Sequence, residues 1–129
     1  MTGADAARAS PGRRILIVED ELMIRMLLED MLEELGYTVA AQAGQIDEAL
    51  QAAKSVDFDL AILDLNLAGL PIVPVADALA ARGTPFVFAT GYSESSLPEA
   101  HRNRPTLRKP FQLDGLRATL QHALAQGGS

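Results

Sequence analysis

The chain contains no cysteine and no tryptophan. Without thiols there can be no disulfide, no thiolate metal site and no cysteine nucleophile, a pattern that fits a cytoplasmic protein. Long apolar runs are missing too. The longest, such as Ile15-Leu16-Ile17-Val18, is four residues, against the ~20 that a helix needs to cross a bilayer, so no membrane partner is expected. No apolar stretch follows the N-terminal charges, which argues against a secretory signal. Positive charge is in deficit: 11 Lys+Arg against 17 Asp+Glu give a net charge of −6. Non-specific affinity for nucleic acid comes from Lys and Arg neutralising phosphates, so direct DNA binding is not expected. Aromatics make up only 5% of the chain, yet 48% of it is hydrophobic, which excludes intrinsic disorder. A chain of 129 residues has the size of one domain with a self-sufficient core.

Residues 1–12 are small, polar and aperiodic and read as a flexible N-terminal tail. Residues 13–126 read as one domain, with no output domain after it. Short apolar runs of strand length begin at Arg13, Tyr37, Leu60, Phe86 and Thr106. Between them Ile24, Leu27, Leu28, Met31 and Leu35 recur at helical spacing, with Gly36 placed to stop the helix. Ile46, Ala49, Leu50 and Ala53 mark a second helix, and 73–81 a third, closed by Gly83. A last helix aligns Leu113, Leu116, Leu120 and Leu124. Residues 93–102 carry little apolar pattern and an internal Pro98, so a helix there should be short or frayed. Met23, Met26 and Met31 read as core and boundary packing. His122 reads as a surface or boundary side chain, and neither it nor His101 as a phosphate donor. Five strand–helix alternations predict an α/β protein, with helices on both faces of a parallel sheet.

Ligands of open parallel sheets bind beyond the carboxyl ends of the strands. The residues there are Glu19-Asp20-Glu21 after the first strand, Asp64 after the third, Thr90-Gly91 after the fourth and Lys109-Pro110 after the fifth. Gln42-Ala43-Gly44 after the second offers nothing comparable. Each has a plain alternative: Asp20 or Glu21 as a helix cap, Asp64 or Thr90 as a turn residue, Lys109 as a surface lysine. Together they place carboxylates, a hydroxyl and an ammonium on one rim. Clustered carboxylates call for a cation, and an oxygen-only donor set points to Mg²⁺. Lysine and threonine beside that ion suit a phosphoryl group.

The segments ILIVEDE, LAILDLNL, FVFATGY and LRKPF, in this order, resemble the response-regulator receiver domains of two-component signalling over residues 13–126. The resemblance implies a doubly wound (βα)5 flavodoxin-like fold with a five-stranded parallel sheet in the order 2-1-3-4-5. It implies Asp64 as phosphoacceptor from a sensor histidine kinase or histidine phosphotransfer protein. It further implies Mg²⁺ held by Asp20, Asp64 and the backbone carbonyl of Asn66, with Glu19 nearby through water. Lys109 would pair with the acyl phosphate, the Thr90 hydroxyl would swing in to bind it, and the Lys109–Pro110 bond is often cis in such domains. Such a protein is no enzyme beyond its own phosphorylation and dephosphorylation, and it would signal in trans to a separate downstream protein. FATGY resembles a subgroup of stand-alone receivers found in alphaproteobacteria, several linked to general stress signalling.

Two positions depart from the family. Ala68 stands where most receivers have proline, and Thr106 where most have the aromatic that rotates with the threonine. Tyr92 is then a candidate to carry the rearrangement, its plain alternative being a fixed boundary aromatic. Three other readings stay open: a phosphate-independent pseudo-receiver, a small Mg²⁺-dependent Toprim-like enzyme, and a flavodoxin-like cofactor binder. Asp64-Leu65-Asn66 supplies half of the acidic pair the second needs, and Glu19-Asp20-Glu21 would repel the phosphate of the third.

Overall fold

The computed structural model describes residues 13–91 and 97–127. Tyr92 and the 1–12 tail lie outside the described residues. Strands β1 (Arg14–Val18), β2 (Thr38–Ala43) and β3 (Leu60–Asp64) alternate with helices α1 (Leu22–Glu34) and α2 (Ile46–Ser55). A hairpin of β4 (Asn66–Leu67) and β5 (Leu70–Pro71) leads into α3 (Val73–Ala81). Strands β6 (Phe86–Thr90) and β7 (Thr106–Arg108) and helix α4 (Leu113–Gly127) complete the chain. The main sheet is five-stranded, in the order β2-β1-β3-β6-β7, and all of its pairings are parallel. With the small hairpin set aside, this is the expected 2-1-3-4-5. Where a short or frayed helix was expected, the described residues hold one 3₁₀ turn, Glu99–His101.

Alternate residues of the central strands feed two separate cores. Leu16, Val18, Ala61, Leu63, Phe86 and Phe88 face α2 and α3. Ile15, Ile17, Leu60, Ile62, Val87 and Ala89 face α1 and α4. A parallel strand covered on both faces must be apolar at every position, which is why β1, β3 and β6 read as unbroken runs. Gly36 and Gly83 follow α1 and α3 with φ of 94° and 75°.

Helix α1 corrects the sequence reading. Its buried residues are Leu28 and Leu32, and Ile24, Met31 and Leu35 pack at the margin of the same core. These five share one stripe at helical spacing. Met23, Met26 and Leu27 fall on a second stripe turned away from the sheet, so Met23 and Met26 are 82% and 55% exposed rather than core. Among the described residues no helix is long and apolar enough to cross a membrane.

Candidate functional site

Sheet register brings the polar residues together. Val18 pairs with Leu63 and Asp64 with Ala89, so Glu19 and Asp64 leave adjacent strands at the same level. Thr90 pairs with Arg108, and the Lys109 N–H donates to the Thr90 carbonyl at 2.9 Å. Asp20, Glu21, Asp64, Thr90 and Lys109 thereby line one open cleft of about 470 Å³, with Leu65, Gly69 and Gly91 at its edges. The Lys109–Pro110 peptide bond is cis.

Carboxylate oxygens of Glu19, Asp20 and Asp64 all lie within 4.8 Å of one another. Their surroundings differ. Glu19 is only 1% exposed; its Oε1 accepts from Lys109 Nζ at 3.0 Å and its Oε2 from the Glu21 N–H at 3.1 Å. Burial raises the Glu19 pKa above 4.5; the Glu21 N–H opposes this, the Asp64 charge adds to it, and Lys109 opposes it again. Asp64 is part-buried, with Oδ1 3.6 Å from Lys109 Nζ. Burial by itself would lower the Lys109 pKa. The hydrogen bond to Glu19 and the charges of Asp64, Glu19 and Glu21 outweigh it and hold the ammonium above 10.5. Lys109 therefore leans on Glu19 more closely than on Asp64. Glu21 stands at the N-cap of α1 but makes no side-chain cap bond, so the capping alternative does not describe it.

Asp20 is the exposed member of the group, and its Oδ2 accepts from the Ala68 N–H at 3.0 Å. Ala68 and Gly69 form the tip of the β4–β5 hairpin with φ of 52° and 83°, as a two-residue turn of the primed type requires. Proline at 68 could neither reach that φ nor donate the N–H, so the departure from the family's usual proline has a local physical reason. Asn66 opens β4 two residues beyond Asp64. Thr90 is buried, at 3% exposure. Thr106, on the edge strand β7, places its Oγ1 3.4 Å from the Arg104 carbonyl.

Sequence reasoning missed three residues. His101 is buried; its Nε2 lies 2.8 Å from Asp77 Oδ1 on α3, and its ring sits edge-on to Phe86 at 5.4 Å. Gly44 abuts Arg25, whose guanidinium Nη1 donates to the Glu19 carbonyl at 2.7 Å. Neither contact has a signature in the linear pattern, since each joins elements far apart in the chain.

A family model described as the response regulator receiver domain matches residues 15–121. The transcriptional regulatory protein PdtaR of Mycobacterium tuberculosis is 36% identical over 132 residues, covering 98% of this chain and 64% of that protein. The phyllosphere-induced regulator PhyR of Methylorubrum extorquens is 35% identical over 121 residues, covering 90% of this chain and 45% of that protein. The chain thus spans less than two thirds of either curated relative. Among solved structures, the solution structure of SdrG from Sphingomonas melonis Fr1 matches with a TM-score of 0.79 at 47% identity. It covers 88% of this chain and 97% of that one.

Proposed function

The chain belongs to the response regulator receiver family, and from that premise we propose that it is a cytoplasmic phosphoacceptor whose reacting group is Asp64. One observation carries the reading. Asp64 lines a cleft together with Asp20, Glu21, Thr90 and Lys109, whose ammonium lies 3.6 Å from it. The Asp64 carboxylate attacks the phosphorus of a phosphohistidine on a histidine kinase or phosphotransfer protein. A P–O bond forms, the P–N bond breaks, and the imidazole leaves carrying a proton from solvent. Lys109 and the Thr90 hydroxyl then bind the oxygens of the acyl phosphate.

An oxygen-only set of three carboxylates fits a hard divalent cation. Asp20, Asp64 and the Asn66 carbonyl would hold Mg²⁺, with Glu19 acting through water. When bound, Mg²⁺ offsets the negative charge of the carboxylate and of the incoming phosphoryl group. Leu22, Met23 and Met26 are exposed on the first turns of α1, directly after Glu21, and offer the phosphodonor an apolar face to bury beside the cleft. Output in trans to a separate protein is part of the same proposal. General stress signalling is the pathway proposed with it, on the likeness of the FATGY segment alone.

The test is labelling with a phosphodonor in the presence of Mg²⁺. One acid-stable, base-labile acyl phosphate is expected per chain. Asp64→Asn keeps the shape but removes the nucleophile, so labelling should vanish. Undiminished labelling of that variant would overturn the assignment.

A further inference from the structure

We infer that Arg25 is a positioning residue for the acidic rim: seated in the space left by the missing side chain of Gly44, its guanidinium fixes the backbone from which Glu19 and Asp20 reach the cleft. The inference rests on the reading of that rim as a Mg²⁺-dependent phosphoacceptor site.

Three observations carry it. The first is a loss of sheet partners. The Glu19 N–H still donates to the Ala43 carbonyl at 3.0 Å, but β2 ends at Ala43. The Gly44 N–H, which faces away from β1 at this register, bonds to Glu48 Oε1 at 2.9 Å. The ladder therefore stops at the residue where the acidic segment begins. The second is the substitute. Arg25, one turn into α1, donates Nη1 to the Glu19 carbonyl at 2.7 Å, and its own N–H donates to the Glu21 carbonyl at 3.0 Å. The latter is the backbone bond of the first helical turn, which any non-proline residue at 25 makes, so what the arginine side chain adds is the hold on the Glu19 carbonyl. The third is Gly44 itself. Its φ lies outside the left-handed region, so backbone freedom does not explain a glycine here. A Cβ at that position would stand 2.6 Å from Arg25 Nη1, and the next nearest atoms, Arg25 Cζ and the Glu19 carbonyl oxygen, lie at 3.7 Å. An alanine methyl at 44 would therefore push the guanidinium, the far end of a flexible side chain, off its seat against the Glu19 carbonyl.

Groups that orient metal-binding side chains from behind change metal affinity by 10–100-fold when removed. The experiment is a cycle of Arg25→Ala, Gly44→Ala and the double variant, with Arg25→Lys as the conservative change. Mg²⁺ affinity is read by titration calorimetry, the Glu19, Asp20 and Glu21 amide shifts by NMR, and folding by thermal melts. Arg25→Ala should weaken Mg²⁺ binding about tenfold, and Arg25→Lys should recover part of that loss. Gly44→Ala should weaken it in the wild-type background and change nothing further in the Arg25→Ala background.

Four results would overturn the inference: Mg²⁺ affinity unchanged while only melting falls, no recovery with lysine, a tighter site in either single variant, or equal loss from Gly44→Ala in both backgrounds. A wild-type chain that binds no Mg²⁺ would sink the metal reading instead. The amide shifts would then still decide the positioning role, because both single variants should move Glu19 and Asp20 alike, and shifts confined to the substituted residue's own neighbours would overturn it.

Discussion

Two connections at the same end of the sheet are held in opposite ways. In the β1–α1 connection, Glu19 is tied through its N–H to Ala43, its carbonyl to Arg25, and its two carboxylate oxygens to Lys109 and Glu21. In the described part of the β6–β7 connection, from Leu97 to Pro105, much of the anchoring falls on one ring. His101 packs on Phe86 and Phe88 and reaches one carboxylate, Asp77, that is itself 60% exposed. Arg104 adds a contact over the Phe86 ring at 4.1 Å. Like charges need many fixed partners to stay together, so the acidic connection is over-determined. Among its described residues the other is anchored by the packing of His101, Arg104 and Leu97 rather than by a network of fixed polar partners. Segments of low local stability are drawn from arrangements of this kind.

Removing the cation from the acidic rim should produce the largest effect. Lys109→Ala should slow acyl phosphate formation about 100-fold, the usual scale for losing one preorganised charge stabiliser. Mg²⁺ affinity should stay near normal or rise slightly, because a competing positive charge has gone. Rates with a phosphodonor and a parallel metal titration check both. A variant that binds Mg²⁺ far more weakly than wild type would show that the lysine organises the carboxylates rather than serving the phosphoryl group.

The second connection should fail locally. His101→Ala removes a buried ring with two aromatic neighbours, at a cost of about 2 kcal/mol in folding stability. Hydrogen exchange should speed up at 97–104 and stay unchanged at Glu19–Glu21. His101→Phe keeps the packing without the Asp77 bond and should recover most of the loss. Faster exchange at both connections would erase the contrast between them.

A smaller effect tests the burial of Glu19. Its raised pKa means that the folded chain binds this proton more tightly than the unfolded chain does. Free of metal, the fold should gain stability as pH falls through the folded value, above 4.5, with the gain complete below 4.5. Mg²⁺ affinity should fall over the same window, since proton and cation compete for the charged form. In melts with a chelator, wild type should gain on Glu19→Gln as pH drops from neutrality. A gap independent of pH would place the carboxylate in a better-solvated setting than its 1% exposure implies.

The strands were legible because both faces of β1, β3 and β6 are covered, which leaves an apolar letter at every position. Asp64, Thr90 and Lys109 were legible because topology alone puts strand ends on one rim. The outward stripe of α1 was not. Met23 and Met26 satisfy helical spacing as well as Met31 does, and nothing local tells a covered stripe from an open one. Arg25, Gly44 and His101 were invisible for a different reason: their roles are contacts across the sheet's rim, with no periodicity of their own.

The smallest effect concerns the hairpin that meets Asp20. Ala68 holds φ at 52°, a left-handed conformation that costs an L-residue about 1–2 kcal/mol. Glycine removes that strain but adds freedom to the unfolded chain worth about 0.4–1 kcal/mol. The first term is the larger, so Ala68→Gly should stabilise the fold, by at most about 1.6 kcal/mol. The N–H that bonds Asp20 Oδ2 at 3.0 Å is present in either residue, so Mg²⁺ affinity should not change. Denaturant melts and metal titration of this one variant separate the two terms. A loss of stability would mean that the strain is relieved by contacts of the alanine methyl. A change in Mg²⁺ affinity would mean that the turn's rigidity, and not only its N–H, sets the position of Asp20.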